Sequence, residues 1–199
     1  AVKKGLEIWD NGATWLDIGG ESTRPGAEPV DAEEELRRVI PVIQSLKRMR
    51  PDGLISIDTR RAKVALEAIN AGAEMINDIS GLNDPEMMEV VLDTGCAICI
   101  MHMQGEPEKM QESPDYQDCV KEVSTFLFDK AQKLIEKGHP EELIIIDPGI
   151  GFGKLLQHNI ELMKDISVLT SSKYSTLLGV SRKSMIGQIT GKVETDDRL

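Results

Sequence analysis

The side chains able to do chemistry fall at the ends of short apolar runs. They are Asp17 with Glu21 to Arg24, Asp58 with Thr59, Asn77 with Asp78, His102 with Gln104, Asp147, and Ser181 to Lys183. A carboxylate accepts two hydrogen bonds at once and an Asn amide both donates and accepts, so Asp58, Asn77 and Asp147 suit a planar heterocycle with adjacent N–H donors. Arg24, Arg182 and Lys183 suit anionic groups. Brought together, these residues describe a site for a polar heterocycle that carries or meets an anion.

The runs themselves are TWLDIGG, LISIDT, EMINDIS, AICIMH, LIIIDPG and TLLGVSR, and a longer amphipathic stretch follows or precedes each. In AEEELRRVIPVIQSL, residues Leu36, Val39, Ile40, Ile43 and Leu46 share one helical face, and Pro41 is expected to kink or break that helix. Gly72, Gly95 and Gly138 end the next three amphipathic stretches.

Strand and helix units in series, with near-continuous apolar strands, predict a parallel sheet in an α/β fold, organised as one domain over residues 1–199. An open dinucleotide-binding sheet calls for G-x-G-x-x-G. The nearest match here is Gly149, Gly151 and Gly153 with Lys154 in the last glycine's place, and no Ser or Thr follows Lys154 to make a P-loop. A (β/α)8 TIM-type barrel fits better, and in a barrel all the strand ends meet at one face. Six units are legible against eight, so the first and last strands are expected to be missing, with the barrel truncated at both ends.

A net charge of -11 opposes binding to nucleic acid or to an anionic membrane. No apolar run reaches the roughly 18 residues of a membrane span, and the start AVKKGLEIWDNG lacks the apolar stretch of a signal peptide, so a cytoplasmic location is expected. Cys96 and Cys99 form a CxxC inside a strand-like run, which predicts buried reduced thiols. His102 stands apart from His139 and His158 and is expected to form hydrogen bonds at a strand end, in preference to a zinc cluster. The methionines read as core filling, and the acidic run DAEEE as the solvated first turn of a helix.

The segments DIGGESTRPGA (17–27), ISIDT (55–59), NDISG (77–81), MHMQGEP (101–107), DPGIGFGK (147–154) and GVSRKSMIG (179–187) resemble, in order and spacing, the motif series of the dihydropteroate synthases. That resemblance implies condensation of 6-hydroxymethyl-7,8-dihydropterin pyrophosphate with para-aminobenzoate, with loss of pyrophosphate, in folate biosynthesis. By motif it assigns Asp58, Asn77, Asp147 and Lys183 to a pterin slot, with Ile79, Met101 and Gly179 packing on the ring. Thr23 and Arg24 go to the pyrophosphate side, and Pro25, Phe152 and Ser181 to the aminobenzoate subsite. Asp58, Lys183 and Arg24 carry the catalytic roles. It further implies Mg2+ as cofactor, a family that is a sulfonamide target, and a homodimer.

The Asn-bearing first loop that helps hold Mg2+, and the last strand with its Arg-x-His anion site, have no counterpart, so no metal ligand is expected in this chain and turnover is expected to be weak or absent. The rival readings are a pterin-binding methyltransferase, which lacks the STRPG and SRKS pattern, and a non-catalytic pterin-binding fragment.

Overall fold

A computed structural model describes residues 1–23, 28–107, 109–192 and 194–198. Six parallel strands stand in strictly sequential order: β1 (Trp15–Gly19), β2 (Leu54–Asp58), β3 (Met75–Asp78), β4 (Ala97–Met101), β5 (Ile144–Asp147) and β6 (Ser175–Thr176). A doubly wound sheet reverses direction at a switch point; this sheet never does. Every right-handed crossover therefore places its helix on the same face, the winding of a barrel wall, with a lumen on the other face.

The helices are α1 (Val2–Asp10), α2 (Ala32–Met49), α3 (Ala62–Asn70), α4 (Met87–Thr94), α5 (Cys119–Glu136), α6 (Leu156–Lys164), α7 (Ser167–Thr170) and α8 (Ser184–Thr190). Local chemistry starts the two longest. The Asp31 carboxylate accepts from the Glu34 amide and Asp118 from the Lys121 amide, each meeting a backbone donor that the helix leaves unpaired. Strand residues that point outward (Leu16, Ile55, Ile57, Ile76, Ile98, Ile100, Ile144, Ile146) pack on Val39, Ile43, Val64, Val91, Leu127 and Leu134 from the helices to form one core. Period-2 alternation alone separates this core from the lumen face.

Three expectations are corrected. First, α2 continues through Pro41, which is exposed on the side away from the core. Val39, Ile43 and Leu46 anchor both halves of the helix on the sheet, and this tertiary packing outweighs one lost backbone hydrogen bond.

Second, the acidic first turn of α2 is not wholly solvated. Glu35 is fully buried and pairs with Arg61 at 2.6 Å, since its position falls on the same face as Val39 and Ile43. Third, only Thr176 of the run TLLGVSR falls in a strand, β6 beginning one residue earlier at Ser175, with one further bond from the Leu177 amide to the Ile146 carbonyl at 2.9 Å. This strand pairs on one side alone among the described residues, in a ladder of two register pairs with β5. The cysteines are free and buried, as expected.

Candidate active site at the strand ends

Strand register decides which strand-end residues face the lumen. Gly19 pairs with Asp58, Asp58 with Asn77, Asn77 with Cys99, and Cys99 with Ile145; one step toward the C-terminal end, Met101 pairs with Asp147. Paired residues of neighbouring strands point the same way. Asp58, Asn77, Cys99, Met101 and Asp147 therefore form one inward row, joined by Asp17 and Ser56 one layer below. Met75, Ile79, Cys99 and Met101 are buried yet stand outside the main core, which marks them as the apolar lining of the lumen.

The first half of the site is a hydrogen-bonded set. Asp17 accepts from the Ser56 hydroxyl at 2.6 Å and from the Asn77 amide nitrogen at 3.0 Å. The Asn77 amide is thereby oriented, leaving its carbonyl oxygen and one N–H for a ligand. Asp17 keeps solvent-exposed surface, but its packed surroundings push its carboxyl above the usual range, and these two hydrogen bonds partly offset the push.

Next to it, Asp58 is pushed up to about 8. Burial is the main cause, and the negative charges of Asp17, Glu35, Asp78 and Glu21 add to it. Gly19 makes room for Asp58: a Cβ there would stand 3.3 Å from the Asp58 carboxylate.

The second half is built around the loop after β5. The Asp147 carboxylate accepts from the Gly149 amide at 2.7 Å; burial raises its pKa while that bond and the charges of Lys183 and Lys154 oppose the rise. The Lys183 ammonium donates to the Ile150 carbonyl and lies 4.2 Å from the Phe152 ring centroid, a cation–π contact. Burial lowers the Lys183 pKa, against the pull of Asp147. A Cβ on Gly179 would come 3.9 Å from the Lys183 ammonium, which puts that glycine at the same spot. Cys99 sits between the halves: burial lifts its thiol pKa well up, helped by the charges of Asp147, Asp17, Asp78 and Asp58.

Gly149 holds the two loops together. Its φ is +66°, and a Cβ there would lie 2.0 Å from the His102 carbonyl oxygen. Gly149→Ala should cost about 3 kcal/mol or more, from backbone strain plus the displaced loop. A fall in Tm of about 10 °C is the expected readout, and a melt unchanged from the parent would contradict this geometry.

The remaining candidates fall into three groups. Asp78, adjacent to Asn77, points the other way: it is buried and accepts from the Ser80 amide and hydroxyl and from the Leu82 amide at 2.7–2.8 Å, so it holds the β3 turn. Thr23 lies apart from the carboxylate row, lining a cavity of about 110 Å³ with Glu21, Ser22, Pro29, Arg60, Glu106 and Pro107. Burial works to raise the Glu21 pKa, but donors from Arg61, Arg60 and the Val30 amide outweigh it and hold that carboxyl at about 2. Ser181 is exposed two residues before Lys183. Arg24 and Pro25 lie outside the described residues.

Sequence reasoning named Asp17 without giving it a role and passed over Ser56, which bonds to Asp17 as Asp17 orients Asn77, and Lys154, the buried lysine of the β5 loop. Strand alternation could have placed Asp17 and Ser56, because both keep inward phase with Asp58. His102 does form hydrogen bonds at a strand end, through Nδ1 to the Lys154 ammonium at 3.0 Å.

Comparison with known proteins agrees with this fold. The family model described as pterin binding enzyme matches residues 1–199. Dihydropteroate synthase of Escherichia coli K12 is 43% identical over 189 residues, covering 95% of this chain and 67% of that protein. The Yersinia pestis dihydropteroate synthase with a sulfonamide drug superposes with TM-score 0.93 at 42% identity, covering 99% of this chain and 71% of that one. The Xanthomonas albilineans dihydropteroate synthase with 4-aminobenzoic acid also gives 0.93, at 40% identity, covering 100% and 70%. With its motifs in order, its inward row of strand-end polar groups and relatives matched over nearly its whole length, the chain belongs to the dihydropteroate synthases of the pterin-binding enzyme family.

Proposed function

We propose that this protein condenses 6-hydroxymethyl-7,8-dihydropterin pyrophosphate with para-aminobenzoate to give 7,8-dihydropteroate and pyrophosphate. The observation that carries this reading is the inward row itself, in which Asp58, Asn77 and Asp147 stand on one lumen face with Lys183 beside Asp147. That set offers carboxylate and amide partners for the N–H donors of a pterin and a cation for its acceptors, with Ile79, Met101 and Gly179 as apolar and small surface for the ring.

The carbon–oxygen bond to pyrophosphate ionises first, the pyrophosphate leaving with the bonding pair; the aniline nitrogen then attacks the methylene carbon and gives up a proton. Positive charge develops on the pterin methylene, and an ionised Asp58 favours it. Lys183 completes the slot, and its stacking on Phe152 links the pterin end to the aminobenzoate subsite, where Ser181 and Pro25 belong in the same reading. Thr23 and Arg24 serve the pyrophosphate. A sulfonamide, as an aminobenzoate mimic, competes there.

Mg2+ enters this proposal only as a companion of the pyrophosphate. Among the described residues no cluster of three or more His, Cys, Asp or Glu side chains is arranged to hold a metal ion, so no step is assigned to it. Among the same residues no helix is long and apolar enough to cross a membrane. A single domain over 1–199 and a homodimer complete the reading.

The test is pyrophosphate release from the dihydropterin substrate with Mg2+, with and without para-aminobenzoate. Release that depends on para-aminobenzoate and matches dihydropteroate formed mole for mole supports the synthase. Pterin binding without release, or methyl transfer from a methylated folate, overturns it.

A further inference from the structure

The loop after β5 shows five successive backbone carbonyls, Gly149 to Gly153, each capped by a side chain. Gln111 donates to the Gly151 carbonyl at 2.6 Å and the Tyr116 hydroxyl to Gly153 at 2.8 Å. Lys183 donates to Ile150. Lys154 takes the other two, Gly149 at 3.1 Å and Phe152 at 2.9 Å. Its ammonium also meets the His102 carbonyl at 3.1 Å and His102 Nδ1 at 3.0 Å, so one nitrogen ties the β5 loop to the residue that follows β4.

Lys154 is 2% exposed. As an ammonium Lys154 has three N–H groups for these four acceptors, and in that charge state Nδ1 accepts and the proton of the neutral imidazole sits on Nε2.

A buried charge is an expensive way to close a loop that neutral donors already hold from outside. Burial brings Lys154 down to about 7 and keeps His102 down at about 3, so that cost is real. Lys154 holds three carbonyls that Gln111 and Tyr116 do not, those of His102, Gly149 and Phe152, and of these residues Phe152 has its ring against the Lys183 ammonium. A shift of the Phe152 carbonyl moves the ring and the wall between the two substrates.

We propose that Lys154 is a positioning residue for the para-aminobenzoate subsite, fixing the Phe152 backbone so that its ring stays against Lys183 where the two substrates meet. This rests on the synthase reading above.

The experiment compares the parent chain, Lys154→Met and Gln111→Ala in two constants: affinity for the dihydropterin pyrophosphate by calorimetry, and KM for para-aminobenzoate. Lys154→Met should raise the aminobenzoate KM about tenfold while pterin affinity stays within about threefold. Gln111→Ala, which removes an exposed donor from the same loop, should leave both within about twofold.

Equal losses in both constants for Lys154→Met, no loss in either, or an equal aminobenzoate effect from Gln111→Ala each overturn the proposal. If Lys154→Met does not fold, a crystal structure of the parent with pterin and para-aminobenzoate decides. Phe152 touching the aminobenzoate, with its carbonyl still on Lys154, is expected; Phe152 turned away from it overturns the proposal. An inactive parent that binds neither substrate defeats the synthase reading itself, whereas an active parent with unchanged constants in Lys154→Met defeats only the role of Lys154.

Discussion

Asp147→Asn should weaken binding of a pterin about a hundredfold with little loss of stability. The Asp147 carboxylate is buried at the end of β5, where one oxygen accepts from the Gly149 amide, leaving the other without a hydrogen-bond donor among the described residues. Burial raises the Asp147 pKa, and the Lys183 charge beside it favours the ionised form that a pterin N–H edge would bind. An Asn keeps the bond to Gly149 and therefore the loop, but offers a ligand one neutral acceptor or a clashing N–H donor. Hydrogen bonds to a charged group contribute about 1.5–3 kcal/mol, which sets a loss of about ten- to 150-fold, and Lys183 left without its counter-charge places the expected value toward the upper end. Calorimetry with 6-hydroxymethylpterin measures this. A change within twofold would remove Asp147 from the slot.

The second large effect is on Asp58, where function and stability pull in opposite directions. Its carboxyl stays protonated in the free protein up to about 8, against an ordinary 3.8. A pterin that donates N–H groups, or develops positive charge, binds the ionised form, so binding at pH 7 should release about 0.9 proton. Affinity should then rise about tenfold per pH unit from about pH 6 to 8 and level off above. Asp58→Asn should abolish both the proton release and the turnover.

The effect on folding has the opposite sense. Between about pH 4 and 8 the folded state holds a proton on Asp58 that the unfolded chain has lost, so stability falls as pH rises through that window. Asp58→Asn should therefore match the parent near pH 4 and exceed it by about 1–2 kcal/mol at pH 8, a figure reduced because Asp58 is only partly buried from water. Lys154, held down at about 7, contributes a slope of the other sign above pH 7, so the informative quantity is the difference between parent and variant. A variant less stable than the parent at pH 8 would show that Asp58 is not strained in the free protein. Such strain suits a site that spends folding stability on a charge needed only with substrate present.

The sequence revealed most of the wall and half of the site. Apolar runs ending in Asp58, Asn77 and Asp147 announce strands and strand ends, because strand burial and strand-end chemistry leave local traces. Period-2 alternation also separates Asn77 from Asp78, although two adjacent polar residues look alike until the strand's phase is known.

Other features depend on contacts that no local pattern records. Glu35 looks like one more carboxylate in a solvated turn until α2 is packed and Arg61 arrives from the start of α3. Lys154 registers in the sequence only as a spoiled glycine fingerprint, since its partners are a histidine 52 residues earlier and the carbonyls of its own loop. β6 reads as long as its apolar composition, while its length in the fold is set by how much of it finds a neighbour.

The central claim is that Asp58 and Asn77 on one side and Asp147 and Lys183 on the other close on a single heterocycle. A crystal structure of the chain with 6-hydroxymethylpterin pyrophosphate tests it most directly. The account predicts the ring in the lumen, its N–H edge on the carboxylates and Asn77, Lys183 within hydrogen-bond reach of its acceptors, and the pyrophosphate toward Thr23. A ring bound elsewhere, or in contact with only one of the two halves, would contradict it.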